Sequence, residues 1–155
     1  NELNKFFDLE DEKFYGNKHY LFRWKKILSN ETIQNSLIKS QLIEEKSDLI
    51  DLKIIDRGSS GRVTKLEISF RNSKKPIFLE KDEIRRMLTF LPSNLFIINK
   101  LNDNLWLFRG GGFGHGVGLS QSGAIEMAEL GFTYEQILNH YYQGTKIKKI
   151  EIMSH

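Results

Sequence analysis

The chain has 155 residues, 39% of them hydrophobic and 28% charged, with a formal net charge of +3. That is the composition of one globular domain with a single core, and it excludes a disordered chain. There is no cysteine, so a disulfide framework, a zinc–thiolate site and a cysteine nucleophile are excluded within this chain, and no run approaches the roughly 18 apolar residues of a membrane span.

Residues 1–20 mix charges and aromatics with little period and predict irregular structure. Residues 20–28 alternate, which predicts a strand with Trp24 and Lys26 on one face and Arg23 and Lys25 on the other. Ser29 stands where an N-cap belongs, and Ile33, Leu37 and Ile38 follow at helical spacing, so residues 30–39 predict a short helix. Residues 49–56 and 63–70 alternate around the turn Gly58-Ser59-Ser60-Gly61, a hairpin signature, with Arg57 and Arg62 flanking the turn. A turn at 71–75 leads to a short strand at 76–79, and Ile84, Met87 and Leu88 give a short amphipathic helix. Two further strands flank Asn102-Asp103-Asn104. Helices are predicted over 120–130, with Gly131 as C-cap, and from Thr133, with Ile137, Leu138 and Tyr141 inward. Residues 145–153 alternate as a final strand. The sum is α+β: a mixed, mostly antiparallel sheet of at least five strands with about four short helices.

Lysines are spread in pairs such as Lys25-Lys26 and Lys148-Lys149. Such spacing gives a solubilising surface rather than a nucleic-acid patch. The chain opens on Asn1 and not methionine, which predicts a processed or excised piece with any export signal upstream.

The densest local signal is "RGGGFGHGVGLSQSGA", residues 109–124. Six of the chain's twelve glycines fall between Gly110 and Gly118, around His115. The run follows a strand and feeds a helix, a placement that a merely flexible loop does not require. His at position 115 breaks the dinucleotide fingerprint, and no Gly-Lys-Ser/Thr follows to make a phosphate loop. A metal reading would pair His115 with His140 and borrow Glu126 or Glu135, but no spacing demands it. A serine nucleophile at Ser120 or Ser122 lacks the elbow motif. What remains is a polar pocket. His115 can donate and accept, Ser120 and Gln121 add hydroxyl and amide groups, and a helix start adds free N–H donors. That set suits a neutral ligand rich in hydroxyls and amides, such as an N-acetylated sugar.

Residues 110–147, with Gly114-His115-Gly116-Val117-Gly118, Ser120-Gln121, Gly123-Ala124, Met127-Ala128, Gly131-Phe132-Thr133-Tyr134, Ile137-Leu138, His140-Tyr141-Tyr142 and Gly144-Thr145 in order, closely resemble the C-terminal signature of the stage II sporulation protein D and amidase-enhancer (LytB-like) family. Trp24, Ser60-Gly61-Arg62, Ile84-Arg85 and residues 93–96 resemble its upstream features. Two departures stand out. Gly123 lies directly after Ser122, where the family often places an aromatic before Gly-Ala, and Phe113 replaces a frequent Trp.

The resemblance implies a substrate-cleft portion of a peptidoglycan lytic transglycosylase. Such an enzyme acts on denuded glycan strands in cell-wall remodelling during sporulation, at engulfment. The family's general acid is a glutamate in a Pro-x-Glu-Met-like segment of its N-terminal half. This chain has no such segment, so residues 1–155 are expected to be the C-terminal part of a single sporulation protein D-like domain, and its catalytic residue is unknown. Glu126 and Glu129 fall at variable positions and are read as solvated helix faces. The alternative is a non-catalytic cell-wall binding module or amidase enhancer. Expected substrate contacts are His115, Ser120, Gln121, Tyr141 and Arg62. Expected partners are glycan strands and a cell-wall amidase, in an extracytoplasmic, cell-wall or membrane-associated setting, with no nucleic acid, no metal and no cofactor.

Overall fold

The computed structural model describes residues 5, 7, 14–71, 73 and 75–148. They fall into two compact units, Asn1–Glu10 with Tyr20–Gly116, and Asp11–His19 with Val117–His155.

The first unit opens with β1 (Arg23–Ser29). Alternation turns Trp24 and Leu28 inward, where both are buried. Ser29 ends the strand and starts α1 (Asn30–Lys39), its Oγ accepting from the Thr32 N–H at 3.1 Å. Ile33 and Leu37, four residues apart on one helix face, are fully buried. β2 (Leu49–Arg57), β3 (Val63–Phe70) and β4 (Ile77–Glu80) form an antiparallel meander. α2 (Asp82–Met87) follows, then β5 (Phe96–Asn102) and β6 (Leu105–Gly111), which pair as a hairpin.

The strands expected in one sheet of at least five divide into two antiparallel sheets of three, ordered β1-β6-β5 and β2-β3-β4. The edge strands explain the division. β2 carries register shifts between Leu49 and Asp51 and again near Asp56, and β5 carries one between Lys100 and Asn102. Such irregularities bend an edge and blunt it against further pairing. Both sheets feed one core: Trp24, Leu28, Phe96, Trp106 and Phe108 from the first, Leu52, Val63, Leu66, Ile68 and Leu79 from the second, joined by residues of α1 and α2.

Gly110 shows how tightly this core is built. Its register partners are Trp24 on β1 and Phe96 on β5, and those two rings stand 6.4 Å apart. A Cβ on Gly110 would overlap the Trp24 indole and come within 2.7 Å of the Leu95 carbonyl. The strand needs glycine there because another residue's ring occupies the side-chain space.

In the second unit, α3 (Gln121–Glu129) and α4 (Tyr134–Tyr141) each begin at a capping hydroxyl. Ser120 Oγ accepts from Gly123 N–H, and Thr133 with Gln136 forms a capping box. Among the described residues of this unit the buried apolar side chains are Met127 and Ile137. Leu130, expected on the inner face, is 64% exposed, because α3 ends one residue before it.

The remaining expectations fall partly outside the described residues. Lys5 and Phe7 have helical backbone where irregular structure was expected, 14–20 are turns and bends, and 8–13 lie outside. The turn at 71–75 is described at 71, 73 and 75. Residues 145–148 form no strand, and 149–153 lie outside.

Candidate functional site

The glycine segment leaves β6 as an ordered ribbon. Gly111 N–H donates to Leu95 O at 2.9 Å, Gly112 N–H to Phe22 O at 3.2 Å and Gly114 N–H to Pro92 O at 2.8 Å. Trp24 Nε1 donates to Gly112 O at 3.1 Å, and the buried Ser93 hydroxyl donates to Gly111 O at 2.6 Å. Ser93 also bridges Gly114 in parallel. Two other stretches of the first unit therefore clamp the segment, the entry to β1 and residues 92–95. Gly112, Gly114 and Gly116 all have φ between +73° and +87°. At Gly112 and Gly114 a Cβ would meet nothing, so these two are glycines for their left-handed backbone. Clamped in this way, the ribbon presents Phe113 and His115 to solvent.

Arg62 reaches the same ribbon. A Cβ on Gly116 would overlap Nε, Cζ and Nη2 of its guanidinium, so the cation lies directly against the residue after His115. Arg62 Nε and Nη1 are buried without a hydrogen-bond partner among the described residues. Burial, and after it the charge of Arg85, holds the guanidinium below its usual range. Each orphaned donor costs about 1–3 kcal/mol in a folded protein.

The neighbouring arginines are engaged. Arg57 donates to Gly61 O at 2.7 Å and Phe96 O at 2.9 Å, which ties the β2–β3 turn to β5. Arg85 donates to Leu91 O at 3.0 Å and meets Asp82 at 3.3 Å. Arg57 and Arg62 flank one turn, yet one is structural and the other unpartnered. The sequence pattern carries no signal at Thr89 and Phe90. Thr89 and Phe90 have φ of 56° and 54°, a costly conformation outside glycine, and Phe90 is 75% exposed.

In the second unit Ser120 and Tyr141 come together. The Tyr141 hydroxyl sits where a Cβ on Gly123 would go, so Gly123 is the floor on which Tyr141 rests. This accounts for the glycine after Ser122. Burial pushes the Tyr141 phenol up, the Ser120 hydroxyl works against that, and the charges of Glu126 and Tyr15 add to it. Gln121 is exposed at the first position of α3. Tyr142 Oη accepts from Leu119 N–H at 3.1 Å. His140 packs edge-on against Tyr15 and Tyr141.

Glu129 is exposed as expected, but Glu126 is not a solvated face. Its carboxylate accepts from the Gly16 N–H and stands 3.8 Å from Lys18 Nζ, with its side chain 20% exposed. The segment around Gly16 packs on α3, which periodicity within the helix does not reveal. No group of three or more His, Asp or Glu side chains among the described residues is arranged to hold a metal ion. No helix among them is long and apolar enough to cross a membrane.

Comparison with known proteins adds the family. Residues 1–118 match the family described as "Domain of unknown function (DUF8618)", and the chain belongs to it. Its curated relatives include proteins named stage II sporulation protein D and amidase enhancer, so the chain is similar to that family. Stage II sporulation protein D of Bacillus subtilis (strain 168) is 55% identical over 40 residues, 26% of this chain and 12% of that protein. The amidase enhancer of the same organism is 25% identical over 146 residues, covering 80% of this chain and 21% of the relative. An uncharacterized protein of Brachyspira hyodysenteriae (strain ATCC 49526 / WA1) is 30% identical over 126 residues, 80% of this chain and 32% of the relative. The chain thus spans between 12% and 32% of the length of these relatives.

Proposed function

We propose that this chain is the C-terminal part of a sporulation protein D-like domain and forms part of the glycan cleft of a peptidoglycan lytic transglycosylase. The substrate would be denuded glycan strands, in cell-wall remodelling during sporulation and in an extracytoplasmic setting. The observation that carries the reading is the unbroken order of signature residues from Gly110 to Thr145 in a chain related to stage II sporulation protein D. The ribbon supports it: an exposed Phe113 offers a ring face to a sugar, and His115 beside it offers donor and acceptor nitrogens. Ser120, Gln121 and Tyr141 are proposed as glycan contacts of the second unit in its own right. The cleaving acid belongs to another part of the protein. Glycosidic cleavage needs a carboxyl that gives and takes a proton, and Glu126 is already committed to Gly16 N–H and Lys18.

The test is digestion of denuded glycan strands by the full-length protein, with mass spectrometry for 1,6-anhydro ends. Such ends are expected, and their absence from a folded sample that still binds strands overturns the enzymatic reading. One observation favours the second reading, a non-catalytic binding module that assists a cell-wall amidase: the likeness to the amidase enhancer runs over 80% of this chain. That reading predicts retention on purified sacculi without product, and faster release by a partner amidase.

A further inference from the structure

We infer that Arg62 is a carboxylate anchor in the first unit, aimed at the acidic group of a sugar acid bound along the glycine ribbon. The inference rests on the cell-wall reading above and names the substrate feature that this part of the cleft distinguishes.

Three observations converge. First, Arg62 alone of the neighbouring arginines 57, 62 and 85 has no protein acceptor: Arg57 is spent on Gly61 O and Phe96 O, Arg85 on Leu91 O and Asp82, while Arg62 Nε and Nη1 lack partners among the described residues. Second, the position is held, not incidental. Val63 N–H donates to Asn94 O at 2.8 Å, which fixes the backbone after Arg62 against residues 92–95, the same stretch that clamps the ribbon. Gly116 leaves the room that the guanidinium fills. Third, a like charge lies near. Arg85 is close enough for its charge to act on Arg62, so an anion meeting the guanidinium at Nη2, the nitrogen outside its buried unpartnered pair, would relieve a repulsion. Arg62 is partly exposed, and His115 and Gly116 beside it are exposed, so a ligand can approach its Nη2 edge while Nε and Nη1 stay buried.

A neutral N-acetylated sugar supplies no anion. Muramic acid does: its lactyl ether ends in a carboxylate, and in decorated peptidoglycan that carboxylate is converted to an amide by the stem peptide. An amide has no negative charge and one acceptor oxygen where the acid has two. A guanidinium at this point therefore separates bare strands from peptide-bearing ones by chemistry at a single group.

Three oligosaccharides of equal length test it by isothermal titration against the full-length protein: alternating N-acetylglucosamine and N-acetylmuramic acid with free lactyl carboxylates, the same chains with the carboxylates converted to methylamides, and N-acetylglucosamine alone. The free acid is expected to bind about tenfold tighter than the methylamide, the value of one charge-assisted contact. Arg62→Gln should bring that ratio to about one. Arg62→Lys, which keeps the charge on a different head group, should give an intermediate ratio and guards against a glutamine variant that does not fold. A wild-type ratio of one, or a ratio unchanged in either folded variant, overturns the inference. Equal binding of all three oligosaccharides would leave the glycan reading standing and remove Arg62 from it. Binding of none would remove the glycan reading itself.

Discussion

The two units use the same signature in different ways. In the first, the glycine ribbon continues a strand whose neighbours belong to a large core, and it is fixed by backbone bonds to Phe22, Pro92 and Leu95. In the second, two short capped helices rest on a small base of Met127 and Ile137. The first holds its shape through nonlocal packing. The second depends more on local devices, namely a capping box, a capping serine and a tyrosine seated on a glycine. The residues matched as DUF8618 end at residue 118, two residues past the last residue of the first unit, so the family model covers the ribbon and leaves α3 and α4 outside it.

The largest effect that would break this comparison is expected at Gly110. Gly110→Ala puts a methyl group into the Trp24 ring and against the Leu95 carbonyl. Neither can yield without disturbing β1 or β5, so the change should cost about 3 kcal/mol in urea unfolding. Gly123→Ala also meets an atom of another residue, but that atom is the hydroxyl of Tyr141, the far end of a flexible side chain. A cost at Gly123 as large as at Gly110 would end the contrast between a packed strand and a helix on a movable side chain.

Met127→Ala comes next. It removes one of the two apolar side chains buried in the described second unit, and a cost of about 2 kcal/mol is expected, the low end for a buried methionine because so small a base collapses easily. Hydrogen exchange should show faster opening of α3 and α4 amides with β6 amides unchanged. Equal acceleration in both units would mean that they open together.

Much of this was legible beforehand. Period-2 alternation located β2 and β3 to within a residue, the turn at 102–104 marked where β5 gives way to β6, and Ser29 and Thr133 marked the starts of α1 and α4. Alternation states which face is buried, however, and not which strand lies alongside. The pairing of β1 with β6, some eighty residues later, has no local signal, and for that reason one sheet was expected where there are two. The same limit applies to the site. Glycine in a strand signals close approach without naming what approaches, and only the folded chain brings Trp24 over Gly110 and Arg62 against Gly116. Nor does anything in "RGSSGR" separate Arg57, which binds two carbonyls, from Arg62, which binds none. Glu126 was misjudged because its partner, Gly16, lies 110 residues away.

A smaller effect sharpens the local side of the comparison. Thr133→Ala removes the side-chain half of the α4 capping box and should cost about 1 kcal/mol. Thr133→Ser, which keeps the hydroxyl, should restore most of it. If alanine is silent in thermal unfolding, the second unit is held by its small base after all.

The smallest stability effect is expected at His115, and there the structural and functional readings separate most cleanly. A histidine that merely shaped the fold would be packed, and its loss would cost stability along with binding. His115 instead projects from a ribbon held through its neighbours' backbone, Gly111, Gly112 and Gly114, and the side chain is exposed. His115→Ala should therefore change unfolding free energy by less than about 0.5 kcal/mol. If the imidazole contacts glycan, retention on purified sacculi should fall at least several-fold in the same variant. Loss of stability in step with loss of binding would make His115 a fold determinant. Unchanged binding in a stable variant would shift the glycan contact along the ribbon, to Phe113 and to Arg62.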